Sequence, residues 1–166
     1  MVESIAKEIS LQAEKLAVLL LEQNKTLAVA ESCTGGWLSK ELTELSGSSQ
    51  WFLGGVVSYS NQSKRAFLKV QKRCLDEFGA VSHQVAEQMV DGVDKAFSSS
   101  ISLSITGIAG PSGGSSDKPV GLVWFGVKKS STQASSHSET FTGNREQVRQ
   151  QAVLMALQIL VDILTE

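Results

Sequence analysis

The chain has 166 residues, of which 42% are hydrophobic and 19% charged, and its formal net charge is −2. This length and composition predict one soluble globular domain, residues 1–166, with a sizeable apolar core. A mildly acidic chain without a run of Lys or Arg argues against a nucleic-acid partner. Two cysteines cannot form a disulfide framework, which predicts free thiols and a cytoplasmic location. We expect no signal peptide, no apolar segment long enough to span a membrane and no membrane partner.

The first half of the chain alternates between helical and strand patterns. Apolar residues at helical spacing predict a helix over residues 2–23, and apolar runs predict strands at 26–30 and 52–59. The pair Gly54-Gly55 within the second strand indicates a bulge or a close backbone approach. Helices are predicted at 35–45 and at 61–68, the latter capped by Ser60 or Asn61.

The second half continues the alternation. Ser82 is expected to cap a helix that runs to about residue 97. Residues 100–106 alternate apolar residues with small polar ones, which predicts a half-buried strand or one whose small face lets a helix lie close. A glycine- and serine-rich surface loop follows at 107–118, then a strand at 120–128, a turn at 130–136, a strand at 138–141 and a helix at 144–164.

This alternation predicts an α/β fold, a three-layer α/β/α sandwich whose mixed, largely parallel sheet carries helices on both faces. Substrates of such folds bind at the carboxyl ends of the strands. The prediction places residues 31–36, 59–64 and 106–114 on one rim of the sheet.

The stretch after the first predicted strand combines candidate nucleophiles with an anion-binding pattern. Ser32 and Cys33 precede Thr34, Gly35 and Gly36 at the start of a helix, where unpaired N–H groups and the helix dipole favour a phosphate or carboxylate. The alternative is an ordinary tight turn in which Ser and Thr only cap the helix. Cys33 is either a thiol activated by the helix N-terminus or a small packed side chain.

Two cations lie at predicted helix starts, where the helix dipole disfavours them. Lys64, five residues after the single tyrosine Tyr59, is either a general base for a serine hydroxyl or a solvated lysine. Arg145 either grips a phosphate or forms a surface salt bridge with Glu146 or Glu139. Ser48, in the segment 47–51, reads as a turn residue when taken alone. The two histidines lack metal-ligand spacing, and we expect no metal and no cofactor.

These motifs, taken together and in order, resemble one known family. They are Ala30-Glu31-Ser32-Cys33-Thr34-Gly35-Gly36, Gly47-Ser48-Ser49 with Trp51-Phe52, Tyr59-Ser60-Asn61 with Lys64, Gly79-Ala80-Val81-Ser82, Thr106-Gly107-Ile108-Ala109-Gly110-Pro111 with Gly113-Gly114, and Lys118-Pro119-Val120-Gly121. The set resembles the C-terminal domain family of the competence/damage-inducible protein A over nearly the whole chain.

The resemblance implies hydrolysis of nicotinamide mononucleotide to nicotinate mononucleotide and ammonia, a step of pyridine-nucleotide salvage. It also implies a metal-independent Ser/Lys amidase mechanism and a cytoplasmic homo-oligomer, often a dimer. On this basis Ser48 is our lead nucleophile, with Lys64 as the base and Tyr59 as a proton relay or orienting group. Ser32 is the rival nucleophile or a hydroxyl that orients the substrate.

The remaining implied roles concern substrate binding. The phosphate is assigned to Thr34, Gly35, Gly36 and Arg145, and the pocket wall and oxyanion donors to Thr106 and the loop from Gly107 through Gly110 to Gly114. Two other functions stay open: a non-catalytic nucleotide-binding regulatory module, and an amidase or esterase for another small phosphorylated amide.

Overall fold

Five strands form one mixed sheet in the computed structural model, which describes residues 2–166 and the side chains from residue 5 onward. The strands are β1 (Leu27–Glu31), β2 (Phe52–Val57), β3 (Ile101–Gly107), β4 (Leu122–Lys129) and β5 (Ser135–Thr140). Their order across the sheet is β2-β1-β3-β4-β5. The first three strands run parallel, and β4 and β5 pair antiparallel at one side.

The helices are α1 (Val2–Glu22), α2 (Trp37–Thr43), α3 (Asn61–Leu68), α4 (Lys72–Phe78), α5 (His83–Phe97) and α6 (Arg145–Thr165). Successive residues of β1 point to opposite faces of the sheet. Val29 joins the core beneath α1, α2 and α6, whereas Ala28 and Ala30 join the core beneath α3, α4 and α5. This arrangement confirms the predicted three-layer α/β/α sandwich.

Helix α5 lies close to the small face of β3. Ser104 Oγ donates a hydrogen bond of 2.6 Å to the carbonyl of Ala86 in α5. A side chain on Gly126, in the neighbouring strand, would collide with that same carbonyl and with Ser104. Strand β3 is therefore buried on both faces, because its serines and an adjacent glycine leave room for the helix.

Several boundaries differ from the sequence predictions for local reasons. Helix α2 begins at Trp37 rather than at Gly35, since Gly35 and Gly36 adopt left-handed backbone angles (φ 60° and 96°). The predicted irregularity at Gly54 is confirmed by a register shift between β1 and β2 and by the close approach of the Phe97 ring. Helix α4 was not predicted, because it is short and begins without a side-chain cap. Strand β5 begins earlier than predicted, because its polar residues still pair with β4.

Helix α6 is long and apolar enough to cross a membrane by length and composition alone, so the expectation that no segment reaches this limit is wrong. Half of its most apolar stretch is buried inside the fold. Val153, Ala156, Leu157 and Leu160 are part of the core that α6 shares with α1 and the sheet. The apolar character of α6 is thus accounted for by packing within the protein.

Candidate active site

A lysine and a serine meet at the carboxyl ends of the parallel strands. Ser32 directly follows β1, and Lys64 lies in α3, which follows β2. Lys64 Nζ lies 2.9 Å from Ser32 Oγ. Only 1% of Lys64 and 7% of Ser32 is exposed. Of the rival serines, Ser32 is the one that the fold places against the candidate base.

The ammonium group of Lys64 is surrounded by oxygen atoms without negative charge. Besides Ser32 Oγ, Nζ contacts the carbonyl oxygens of Ser58 at 2.8 Å and Tyr59 at 3.3 Å. Burial lowers the pKa of Lys64 from 10.5 to about 8, and the neighbouring Cys33 opposes this shift. A neutral amine fits this set of partners: its two N–H groups donate to the carbonyls, and its lone pair accepts the Ser32 hydroxyl proton.

The start of α3 explains why the lysine reaches back to these carbonyls. Ser60 and Ser63 form a reciprocal capping box that begins the helix directly after Tyr59. Side chains in an α-helix lean toward its N-terminus. Lys64, four residues after the N-cap, therefore extends toward the end of β2 rather than into solvent.

A carboxylate of the chain itself occupies the helix N-terminus that the sequence pattern offered to a substrate anion. Glu31 is fully buried and accepts hydrogen bonds from the N–H groups of Gly36 (3.1 Å), Leu38 (3.1 Å) and Ser39 (2.8 Å). The Ser39 hydroxyl donates a fourth bond at 2.8 Å. These donors are thus engaged, and the start of α2 is not a free phosphate cradle.

The three residues assigned to that cradle lie away from Ser32 and Lys64. Thr34 is fully buried, and its hydroxyl has no hydrogen-bond partner among the described residues. Gly35 and Gly36 line a separate open surface beside Trp37 and Arg149. Their backbone geometry shapes the turn, but none of the three lines the pocket that contains the Ser–Lys pair.

A pocket of about 270 Å³ opens next to this pair. Of the predicted binding residues, Thr106, Gly107, Gly110 and Arg145 line it. The pocket is also lined by Ile108, Ala109, Ser112 and Gly113, which belong to the loop expected to form its wall, and by Asn61, Ala80 and Val81, for which the sequence had suggested no role in binding. These last three residues fall in motifs that carry the family resemblance, and those motifs were the sequence signal that could have identified them.

Arg145 bridges two walls of the pocket. Its guanidinium donates hydrogen bonds of 2.8 Å to the Gly110 carbonyl and 2.8 Å to the Tyr59 hydroxyl. The Tyr59 side chain is 60% exposed. The hydroxyl of Tyr59 is thus engaged by Arg145, whereas its backbone carbonyl contacts Lys64.

Ser48 lies at the amino end of β2, and the pair of Ser32 and Lys64 lies at the carboxyl ends of the strands. Ser48 begins a short 3₁₀ turn, Ser48–Gln50, immediately before β2, whereas Lys64 and the pocket follow the carboxyl end of that strand. A six-residue strand spans roughly 20 Å. The structure therefore does not bring Ser48 together with Lys64, the base to which the sequence analysis paired it.

Cys33 is a packed side chain in this fold. It is 6% exposed and belongs to the core beneath α1, α2 and α6. Burial raises the pKa of its thiol to about 12. Of the two interpretations of Cys33, the structure supports the packed side chain, because a thiol in such surroundings is protonated at neutral pH.

Comparisons with known proteins agree on one family. The model of the CinA C-terminal domain family matches residues 10–164. The chain is 43% identical over 148 residues to the nicotinamide-nucleotide amidohydrolase PncC of Escherichia coli, covering 89% of this chain and 90% of that protein. It is 47% identical over 145 residues to a CinA-like protein of Syntrophomonas wolfei, covering 87% of this chain but only 35% of that longer protein.

Solved structures agree with this relationship. The competence/damage inducible protein CihA from Agrobacterium tumefaciens superposes with a TM-score of 0.91 at 36% identity, with 96% of each chain covered. The competence or damage-inducible protein from Enterobacter asburiae superposes with a TM-score of 0.89 at 31% identity, covering 94% of this chain and 98% of the other.

Proposed function

This chain belongs to the CinA C-terminal domain family, and on that premise we propose that it hydrolyses the carboxamide of nicotinamide mononucleotide to nicotinate mononucleotide and ammonia. The observation that carries the proposal is the buried pair of Ser32 and Lys64 beside the pocket. The proposed substrate is inferred from the name of the Escherichia coli relative, a nicotinamide-nucleotide amidohydrolase.

In the first step Ser32 is the nucleophile and neutral Lys64 the general base. Lys64 Nζ takes the proton of Ser32 Oγ while Oγ attacks the carboxamide carbon. The resulting ammonium has three N–H groups. Two donate to the carbonyls of Ser58 and Tyr59, and the third faces the reacting centre. The site therefore holds both protonation states of Lys64 without a change of partners.

The backbone N–H of Cys33 is the proposed oxyanion donor. It belongs to the residue after the nucleophile, the position that supplies such a donor in α/β-hydrolases. The other end of the same peptide is fixed, because the Ser32 carbonyl accepts a 3.0 Å bond from the Gly35 N–H. Within the described part of the chain the Cys33 N–H donates to no backbone carbonyl. Its contact is with the thiol of its own residue, a weak acceptor that a developing oxyanion would replace.

Lys64 then passes its proton to the nitrogen of the leaving group, and ammonia departs as the C–N bond breaks. A water molecule attacks the acyl group on Ser32 while Lys64 takes its proton. Lys64 then returns this proton to Ser32 Oγ as the acyl C–O bond breaks and the carboxylic acid is released. One amine thus serves as base and acid in turn, which requires a pKa near the working pH. The lowered pKa of Lys64, about 8, meets this requirement.

Arg145 and Asn61 are proposed to orient the nucleotide. Two guanidinium N–H groups of Arg145 are bound to Gly110 and Tyr59, and a guanidinium has five. The remaining donors suit a phosphate, which arginine binds in a planar, bidentate manner. Asn61 lines the same pocket and can bind ribose hydroxyls.

The direct test is turnover by the purified chain in the presence of a metal chelator, measured as ammonia and nicotinate mononucleotide. We expect Ser32→Ala and Lys64→Met to lower kcat by at least about 1,000-fold with the fold intact. Ser48→Ala is the matched control and should keep near-normal rates. Binding of the mononucleotide without turnover by the wild-type chain would instead indicate a regulatory binding module.

We further propose that the protein is a cytoplasmic homodimer. Both cysteines are free and buried, as suits a reducing compartment. The edge strand β2 exposes Leu53 and Val57, at 41% and 49%. Such apolar exposure on an edge strand favours association between copies. Light scattering of the wild type and of Leu53→Lys tests the assembly, with the monomer expected for the variant.

A further inference from the structure

Two charged residues outside the pocket hold the 32–36 turn, one through N–H groups and the other through carbonyls. Glu31 binds N–H groups at the start of α2, directly after the turn, and Arg149 binds carbonyls within it. Neither residue lines the pocket with Ser32 and Lys64. The nucleophile and the proposed oxyanion donor, the Cys33 N–H, both belong to the turn that they hold.

Glu31 ties the turn to the strand and to the surroundings of the lysine. Its two carboxylate oxygens accept four hydrogen bonds, two at each oxygen. Its backbone carbonyl accepts a 2.8 Å bond from the N–H of Ser58, whose own carbonyl holds Lys64. The residue therefore connects the helix start after the nucleophile with the strand end that positions the base.

Arg149, in α6, binds two backbone carbonyls of the turn. Its Nε donates to the Cys33 carbonyl at 3.0 Å, and its Nη2 donates to the Thr34 carbonyl at 3.1 Å. The guanidinium carbon lies 5.4 Å from the centre of the Trp37 ring, a cation–π contact that fixes its plane. Because each peptide is planar and trans, holding these two carbonyls also fixes the N–H groups of Thr34 and Gly35.

We propose that Glu31 and Arg149 are positioning residues for the hydrolysis, an inference that rests on the proposed function. Together they lock the turn so that Ser32 Oγ stays on Lys64 Nζ and the Cys33 N–H keeps its direction. The Gly35 N–H links their action to the nucleophile, because it donates to the Ser32 carbonyl. Glu31 thus engages the N–H groups that the sequence pattern offered to a substrate anion, and Arg149 holds carbonyls of the same turn.

Arg149 gives the clearer test of the two. It lies on the long helix α6, and the apolar contacts of α6 with the core do not involve it. Arg149→Met and Arg149→Lys should lower kcat about 10- to 100-fold, the loss that a displacement of about 1 Å produces, while KM changes less than about threefold. The apparent pKa of activity should stay in place, because Lys64 keeps its partners. Arg73→Met is the matched control, an exposed arginine bonded to Gln71, and should match the wild type.

Two readouts separate positioning from general loss of structure. Added guanidinium ion, at a concentration that does not unfold the protein, should restore part of the kcat of Arg149→Met. Glu31→Gln replaces one of two acceptor oxygens by an NH₂ group, so two of the four donors lose their partner. It should lower kcat at least as much as Arg149→Met, with the circular dichroism spectrum of the wild type.

The inference is wrong if Arg149→Met retains the wild-type kcat, or if its loss appears only in KM. Failure of the proposed function is seen separately, as a wild-type chain that leaves the mononucleotide intact. In that case the rate at which a fluorophosphonate labels Ser32 serves as the measurement, because it needs no nucleotide. Slower labelling of Arg149→Met than of Arg73→Met would support the positioning role, and equal labelling rates would overturn it.

Discussion

Lys64 Nζ lies 2.9 Å from Ser32 Oγ although 32 positions separate the two residues in the chain. The contact forms because β1 and β2 are parallel neighbours, so that the segments following them meet at one edge of the sheet. No carboxylate oxygen lies within hydrogen-bond distance of Nζ among the described residues. The lysine is thus desolvated without an opposing charge, which is the condition for a basic amine near neutral pH.

The pH dependence of activity should follow Lys64. With a pKa of about 8, kcat/KM should rise about tenfold per pH unit below that value and level off above it. At pH 7 roughly a tenth of the enzyme carries the neutral amine. Initial rates between pH 6 and 10 check this profile, with Lys64→Arg as the inactive control. A flat profile over this range would contradict the role of Lys64 as the base.

The same pKa shift predicts how stability depends on pH. Folding lowers the pKa of Lys64 from 10.5 to about 8, so the unfolded chain binds more protons between these values. Stability therefore rises as pH increases through this window, and the penalty is largest below it. Relative to Lys64→Met, the wild type should gain about 2 kcal/mol of unfolding free energy between pH 7 and 9.5. Urea unfolding of both proteins at the two pH values measures the difference.

The Tyr59 hydroxyl is expected to act on binding rather than on proton transfer. Tyr59→Phe removes the acceptor for Arg145 but leaves the backbone carbonyl that holds Lys64. It should raise KM several-fold and leave kcat within about threefold, and Arg145→Ala should raise KM further. Steady-state kinetics of both variants test this. A fall of kcat by two or more orders of magnitude in Tyr59→Phe would instead support the proton-relay hypothesis.

Cys33 should be chemically inert in the native protein. With a thiol pKa of about 12, the thiolate amounts to roughly one part in ten thousand at pH 8. Iodoacetamide should leave Cys33 unmodified in the folded chain and alkylate it in urea, as intact-mass measurement would show. Cys33→Ala should retain kcat within a few-fold. Loss of turnover in a folded Cys33→Ala would reopen the thiol as a nucleophile.

The close approach of α5 to the sheet should make Gly126 intolerant of a side chain. A methyl group there would meet the Ala86 carbonyl and the Ser104 hydroxyl, and a backbone carbonyl cannot move away as a side chain can. Gly126→Ala should therefore lower the unfolding free energy by about 1–3 kcal/mol. Chemical denaturation measures the change. Ser130→Ala, at an exposed position just past β4, should change stability by less than about 0.5 kcal/mol.

Local patterns were sufficient where an element depends on its own residues. The apolar runs of β1 and β4, the Ser60 cap of α3 and the Ser82 cap of α5 follow from periodicity and capping. The three-layer fold and the rim at residues 31–36, 59–64 and 106–114 follow from the alternation of helices and strands. The short uncapped α4 was missed and the start of the polar β5 was placed three residues late, because pairing and packing with distant segments stabilise them.

The choice between Ser32 and Ser48 could not be made from local patterns. Both serines stand in short polar turns. Ser48 reads as a turn residue when taken alone, yet neither motif shows which serine attacks. They differ in which end of a parallel strand they occupy, and a one-dimensional pattern does not report whether a distant lysine reaches that end. The fold places Ser32 against Lys64 and leaves Ser48 at the opposite edge.

The chain's own residues thus specified a helix start rich in unpaired donors after β1, a place where the helix dipole favours a negative group. Which negative group binds these donors depends on the tertiary structure. The Glu31 carboxylate binds them, where the sequence had suggested a substrate phosphate. Hydrogen-bonding capacity is a local property of the backbone. Which acceptor pairs with a given donor depends on all the groups that the folded chain brings within reach, and packing decides between them.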